Sequence, residues 1–209
     1  TEELAAPLSP EDQVVQSMAD ASPTKWHRAH TTWLFETVLL KPYLAGYQEH
    51  DPAYAFLYNS YYEGIGPRFT RPDRGLLSRP SGDQIRKYRN DVDASMETLI
   101  AELDDSKWDA FTALLDLGLN HEQQHQELLL TDIKHLLSRN PTFPAYRDDL
   151  PVADSGENPP LEWNDFEGGV VEIGHGGGEF AFDCEAPRHK VYQDPFRLAS
   201  HLVTNGEYL

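Results

Sequence analysis

Apolar and polar positions recur at helical spacing from the start of the chain to about residue 140, and beyond that point the period is lost. Four stretches in the helical part carry their own start signals. Ser9-Pro10-Glu11-Asp12 predicts a first helix. Ser22-Pro23, with serine as N-cap and proline at the first helical position, predicts a longer one through WHRAHTTWLFETVLL. Ser81-Gly82-Asp83-Gln84 has capping-box spacing ahead of IRKYRNDVDASMETLIAEL. Ser106-Lys107-Trp108-Asp109 opens the fourth, which reaches about Leu137 unless Gly118 breaks or kinks it. The pattern predicts a mainly α fold, a four-helix bundle over residues 1–140.

Between the second and third helices lies a connection of about 35 residues, too long for a simple turn and too rich in aromatics and arginines to read as disordered. It reads as a structured crossover lining a site. Residues 141–165 are acidic and interrupted by Pro141, Pro144, Pro151, Pro159 and Pro160, which predicts a linker. Residues 166–209 then turn strand-like: GGVVEIG, GEFAFD and HKVYQ are short β-prone runs bounded by glycine and proline.

Composition narrows the function classes. No apolar run among the 209 residues approaches the ~18 needed for a membrane span, and the N-terminus lacks the basic-then-apolar order of a secretory signal, so the expected location is the cytoplasm. The lone Cys184 excludes an internal disulfide framework. A net charge of −18 repels phosphate backbones and anionic lipid heads, so neither nucleic acid nor membrane is expected as a partner.

Nine histidines are many for so acidic a chain, and two of them sit in LNHEQQHQELLLTDIKHLL. At about 100° per residue, His121 and His125 differ by about 40° around a helix axis, so both imidazoles leave one face and can reach one ion. Leu128 and Asp132 continue that face, Gln124 borders it, and Glu127 points elsewhere. The flanking leucines favour a bundle-facing position over two surface histidines. A third ligand is expected from a facing helix. His30 shares a stripe with Trp26, Trp33 and Thr37, whereas His27 lies towards the edge of that stripe, so His30 is the choice. His50 and His135 read as solvated, and His175, His189 and His201 fall in the second segment. Three imidazoles suit zinc, iron, nickel or copper alike.

In the crossover, Arg68, Arg71 and Arg74 stand close to Tyr61 and Tyr62. Arginine forks bind carboxylates, so an amino acid or peptide held near the metal is one use, and salt bridges within the loop are the other.

Three separated segments, SPTKWHRAHTTWLFE, NSYYEGIGPRFTRPDRGLLSRP and HEQQHQELLLTDIKH, resemble the DinB-like N-terminal domain of the ergothioneine-biosynthesis sulfoxide synthases and of the similar ovothiol-pathway enzymes. FDCEAPRHKVYQDPFRLASHLVTNGEYL resembles the start of the formylglycine-generating-enzyme (sulfatase-modifying, C-type-lectin-like) α+β domain that follows it there. The resemblance implies a non-haem iron(II) enzyme that uses O₂ to join the sulfur of cysteine or γ-glutamylcysteine to the imidazole of hercynine, with sulfoxidation. It implies His30, His121 and His125 as iron ligands, Gln124 near the substrate imidazole, and Arg71 and Arg74 on the thiol substrate's carboxylate. It also implies a proton-donating tyrosine from the second domain, placed beyond Leu209. The expectation is therefore a truncated form that binds metal without efficient turnover, with Tyr61 or Tyr62 as the acid should the fragment turn over. The rival expectations are a DinB-like zinc- or nickel-dependent thiol transferase and a non-catalytic metal-binding module.

Overall fold

A computed structural model describes residues 1–60, 64, 66–149 and 160–209 and divides the chain into two units, Thr1–Leu150 and Pro151–Leu209. Tyr61, Tyr62, Pro151 and Pro159 lie outside the described residues.

The first unit is helical. A short α1 (Glu2–Ala5) leads to α2 (Thr24–Phe35), which runs on without interruption as a π-helical segment (Glu36–Leu40) and α3 (Lys41–Tyr43). After α4 (Tyr54–Leu57) and a 3₁₀ turn (Arg71–Leu76) come α5 (Gly82–Glu102) and α6 (Trp108–Arg139). The helix expected at Ser9 is not formed. Ser9 and Asp12 do exchange cap bonds, Ser9 N–H to Asp12 Oδ2 at 3.0 Å and Asp12 N–H to Ser9 Oγ at 3.1 Å. The next residue, however, is drawn into tertiary bonds: the Gln13 amide donates to Ala5 and Leu8 carbonyls, and its own carbonyl accepts from Lys25 N–H. Three long helices, rather than four, thus pack together among the described residues. Arg28 of α2 pins the N-terminal segment with a forked pair of bonds to Glu2 and a third to Gln13.

Every residue of α2 is buried, so the helix has no solvent face and the single stripe expected of it does not exist. Its apolar side chains Trp26, Ala29, Trp33, Leu34 and Phe35 share a core with Leu39 and Leu40, Tyr54 and Tyr58, Ile85, Tyr88, Val92, Met96 and Leu99 of α5, and Phe111 of α6. The capping box of α5 forms as expected, with Ser81 N–H to Gln84 Oε1 at 2.8 Å and Gln84 N–H to Ser81 Oγ at 3.3 Å. Helix α6 passes Gly118 unbroken: a Cβ there would stand 2.9 Å from Phe35 Cε1, so the glycine answers to close packing against α2 rather than to a kink. Among the described residues no helix is long and apolar enough to cross a membrane.

The second unit holds two antiparallel pairs, β1 (Trp163–Phe166) with β4 (Phe196–Ala199) and β2 (Gly169–Ile173) with β3 (His189–Gln193), and a short α7 (Asn205–Tyr208). β1 begins inside the stretch read as linker, and the Phe166 and Phe196 rings stack across the first pair at 4.8 Å. GEFAFD is not a strand. Phe182 N–H donates to the Glu185 carboxylate at 2.7 Å, which commits that backbone to a 3₁₀ turn at Asp183–Glu185.

Candidate metal centre

Helices α2 and α6 bring His30, His121 and His125 together, each offering a nitrogen within 4.8 Å of the other two. All three are buried, and their ring centroids lie 4.5 to 5.0 Å apart. The four-residue spacing on α6 places His121 and His125 on the face turned to α2, as the helical period requires. His30 Nδ1 donates to the Tyr58 carbonyl at 2.5 Å, which leaves Nε2 as the nitrogen with the lone pair, 3.2 Å from His121 Nε2.

The cluster is held neutral. Burial, the neighbouring His121 and nearby Arg74 push His30 well below the usual imidazole range. Burial lowers His121 to about 4, and burial with the facing His30 takes His125 lower still. Neutral imidazole is the form that binds metal. The 3.2 Å between His30 Nε2 and His121 Nε2 fits a shared cation: two nitrogens each about 2.0 to 2.1 Å from one ion, at angles between a right angle and tetrahedral, stand about 2.9 to 3.4 Å apart. His121 Nδ1 is buried with no hydrogen-bond partner among the described residues. In the absence of an ion, His121 Nε2–H must serve the His30 lone pair, which turns that orphan into an unmet acceptor. With an ion taking both Nε2 lone pairs, it is an N–H instead.

Two further residues adjoin the cluster, His27, which the stripe argument set aside, and Asp132, which it kept on the His121 and His125 face. His27, read as an edge residue, is 2% exposed; its Nδ1 meets His125 Nδ1 at 2.9 Å and its Nε2 meets Asp132 Oδ2 at 3.0 Å. Asp132 also accepts from Ser22 N–H at 2.8 Å. Ser22 is therefore not the side-chain N-cap expected of it. Helix α2 starts after Pro23, and the Ser22 hydroxyl accepts from Arg74 instead. The signal was present, since Asp132 continues the His121 and His125 face.

The arginines divide. Ser60, Arg68, Phe69, Thr70, Arg71, Pro72 and Arg74 line a pocket of about 300 Å³. Arg71 is half-buried and Arg68 exposed, with Arg68 donating to the Ser60 carbonyl at 2.8 Å. Arg74 is 3% exposed, lies 3.4 Å above the Trp26 ring, and donates to Ser22 Oγ at 2.8 Å. Trp26 in turn stacks on His30 at 4.5 Å. Arg74 is thus built into the packing behind the clustered histidines.

Gln124 and Glu127 are exposed on α6, and neither joins the histidine cluster. His50 and His135 are not simply solvated. His50 packs on Tyr54 and Tyr88 and reaches Asp91 at 3.2 Å, while His135 Nδ1 pairs with Ser17 Oγ at 2.8 Å.

No curated protein matches the chain. The family model for the DinB superfamily matches residues 1–129, the stretch that carries all three clustered histidines and the arginine-lined pocket, and the chain belongs to that superfamily.

Proposed function

We propose that the chain is the metal-binding part of a non-haem iron(II), O₂-dependent sulfoxide synthase that joins a thiol amino acid or dipeptide to the imidazole of hercynine. The observation that carries the reading is a buried, neutral, all-imidazole cluster connected to an arginine-lined pocket by the contacts of Arg74 on Trp26 and Trp26 on His30. DinB superfamily membership supports the metal-dependent class, since that superfamily includes metal-dependent enzymes. The three motifs described above supply the narrower substrate class. They also support reading residues 166–209 as the start of a formylglycine-generating-enzyme-type domain.

His30, His121 and His125 would hold the ion, leaving other positions open because the protein offers it no fourth ligand among the described residues. Iron(II) supplies, when bound, the redox chemistry that lets O₂ oxidise sulfur as the C–S bond forms. The chain's own part is binding and orientation. Arg71, helped by Arg68 at the mouth, would fork onto the thiol substrate's carboxylate, with Arg74 fixing the pocket floor. Gln124, exposed one position before His125, would meet the acceptor imidazole. Fixing both substrates beside the metal replaces a rare encounter with a local reaction.

The test is anaerobic loading with iron(II), addition of hercynine and either cysteine or γ-glutamylcysteine, then O₂, with products read by mass spectrometry. A sulfoxide containing both substrates, formed only with O₂, supports the proposal. Three nitrogen donors serve zinc or nickel equally well. Thiol transfer with either metal and no O₂ uptake would therefore replace the synthase by a thiol transferase. Metal binding with no substrate affinity would leave a binding module.

A further inference from the structure

His27 is a buried titratable group to which the reading above gives no task. It lies on α2, three residues before His30, and touches both His125 and Asp132. The direction of each hydrogen bond in this row of three can be worked out. A carboxylate only accepts, so His27 Nε2, 3.0 Å from Asp132 Oδ2, carries the hydrogen. In a neutral His27 the other nitrogen is then a bare acceptor. The 2.9 Å contact between the two Nδ1 atoms is a hydrogen bond only if His125 donates. His125 is left with its lone pair on Nε2.

We infer that His27 and Asp132 are positioning residues for the metal: they hold His125 as the Nδ1–H tautomer, so that its Nε2 lone pair is the one offered to the cluster. The inference rests on the metal reading above for its purpose, though not for its geometry. The Tyr58 carbonyl does the same for His30 by accepting from Nδ1. Two of the three ligands are therefore oriented by fixed acceptors behind them, the arrangement that raises ligand basicity and fixes ring orientation in protein metal sites. Asp132 is itself clamped, because the same oxygen takes Ser22 N–H at the start of α2. The alternative, a cationic His27 donating from both nitrogens, would move the hydrogen of His125 onto Nε2. It would also bury a charge: burial is the largest influence and opposes protonation of His27, the Asp132 carboxylate favours it, and nearby Arg74 and Arg71 oppose it again, with the balance on the neutral side.

Two measurements decide it. Long-range proton–nitrogen NMR on the metal-free, histidine-labelled chain should show His125 protonated at Nδ1 and His27 at Nε2. Competition of zinc(II), a silent substitute for iron, against a chromophoric chelator should show affinity falling about 10- to 100-fold in His27→Phe and Asp132→Leu. Asp132→Asn should stay close to the unaltered chain, because its amide oxygen can accept both bonds. An Nε2–H His125 in the unaltered chain overturns the inference even where a variant fails to fold, and so does unchanged zinc affinity in both His27→Phe and Asp132→Leu. His121→Ala separates the two levels of argument. If it retains zinc, the metal reading fails while the tautomer measurement still decides the relay; if it loses zinc, the metal reading stands whatever the relay result.

Discussion

Arg74→Ala should be a folding defect first and a binding defect second. The guanidinium is 3% exposed and lies 3.4 Å over Trp26, where a desolvated cation–π contact contributes about 2 kcal/mol. Its bond to Ser22 Oγ at 2.8 Å is charge-assisted and adds about 1.5 to 3 kcal/mol, whereas the 3.4 Å approach to Ser60 Oγ is too long to count for much. Truncation also strips the covering from Trp26, the ring that stacks on His30. The expected loss is about 3 to 5 kcal/mol, a drop of about 10 °C in melting temperature for a unit of this size. Arg71→Ala, removing a half-buried fork from the same pocket, should cost under about 1 kcal/mol of stability while weakening binding of the thiol proposed as substrate about 10- to 100-fold. Urea titrations at constant slope and calorimetric titration with the thiol, run on both variants, check the division. An Arg74→Ala chain that melts like the unaltered one would refute it, and so would an Arg71→Ala chain as unstable as its neighbour.

Replacing His121 or His125 with alanine should abolish stoichiometric metal binding, measured by metal content after dialysis; the double variant retaining one ion per chain would reject the site. Gly118→Ala sets a gain of about 1 kcal/mol in helix propensity against a Cβ 2.9 Å from the buried Phe35 ring, and overpacking of about 1 to 3 kcal/mol should win, lowering the urea midpoint. A raised midpoint would show that the ring gives way. The metal-free chain should lose stability as pH falls from 6.5 to about 4, because His121 has a folded value of about 4 against 6.5 unfolded, so the unfolded state binds more protons across that window. Urea midpoints measured against pH should fall less steeply in His121→Asn, the buried His27, His30 and His125 keeping their own share of the slope, and a midpoint rising on acidification would reverse the sign.

How far the site can be read in the bare sequence depends on which face argument applies. His121 and His125 need only the helical period and leucine flanks, and both are local. His30 follows from the same logic with a partner assumed. His27 escapes it, because hydropathy stripes presuppose a solvent side and α2 has none. Ser81 and Gln84 form their box because both partners are four residues of chain; Ser22, with the same credentials as a cap, is claimed by Arg74 and Asp132, which lie 52 and 110 positions away. Arg71 and Arg74 are equal in sequence and unequal in burial for a similar reason: what decides between them is Trp26, a tertiary neighbour. The Ser9 segment shows the converse, a local pattern dissolved when Gln13 and its carbonyl find tertiary bonds, and GEFAFD yields to a rival local bond, Phe182 N–H to Glu185.

The π-helical segment at Glu36–Leu40 gives the long second helix two phases. A wide turn holds one residue more than an α turn, which offsets everything after it by about 100° from everything before. The half that carries His27 and His30 is thereby aimed independently of Leu39 and Leu40, which close the wide turn and enter the core. Glu36 secures the joint, its buried carboxylate accepting from Tyr88, from Tyr47 at 2.8 Å and from His50 N–H at 2.8 Å. A change of chain length by one residue at this point therefore cannot be absorbed as helices usually absorb substitutions. It would either swing the histidines away from α6 or turn the two leucines out of the core, so the length of this segment is as much a part of the candidate metal centre as the imidazoles themselves.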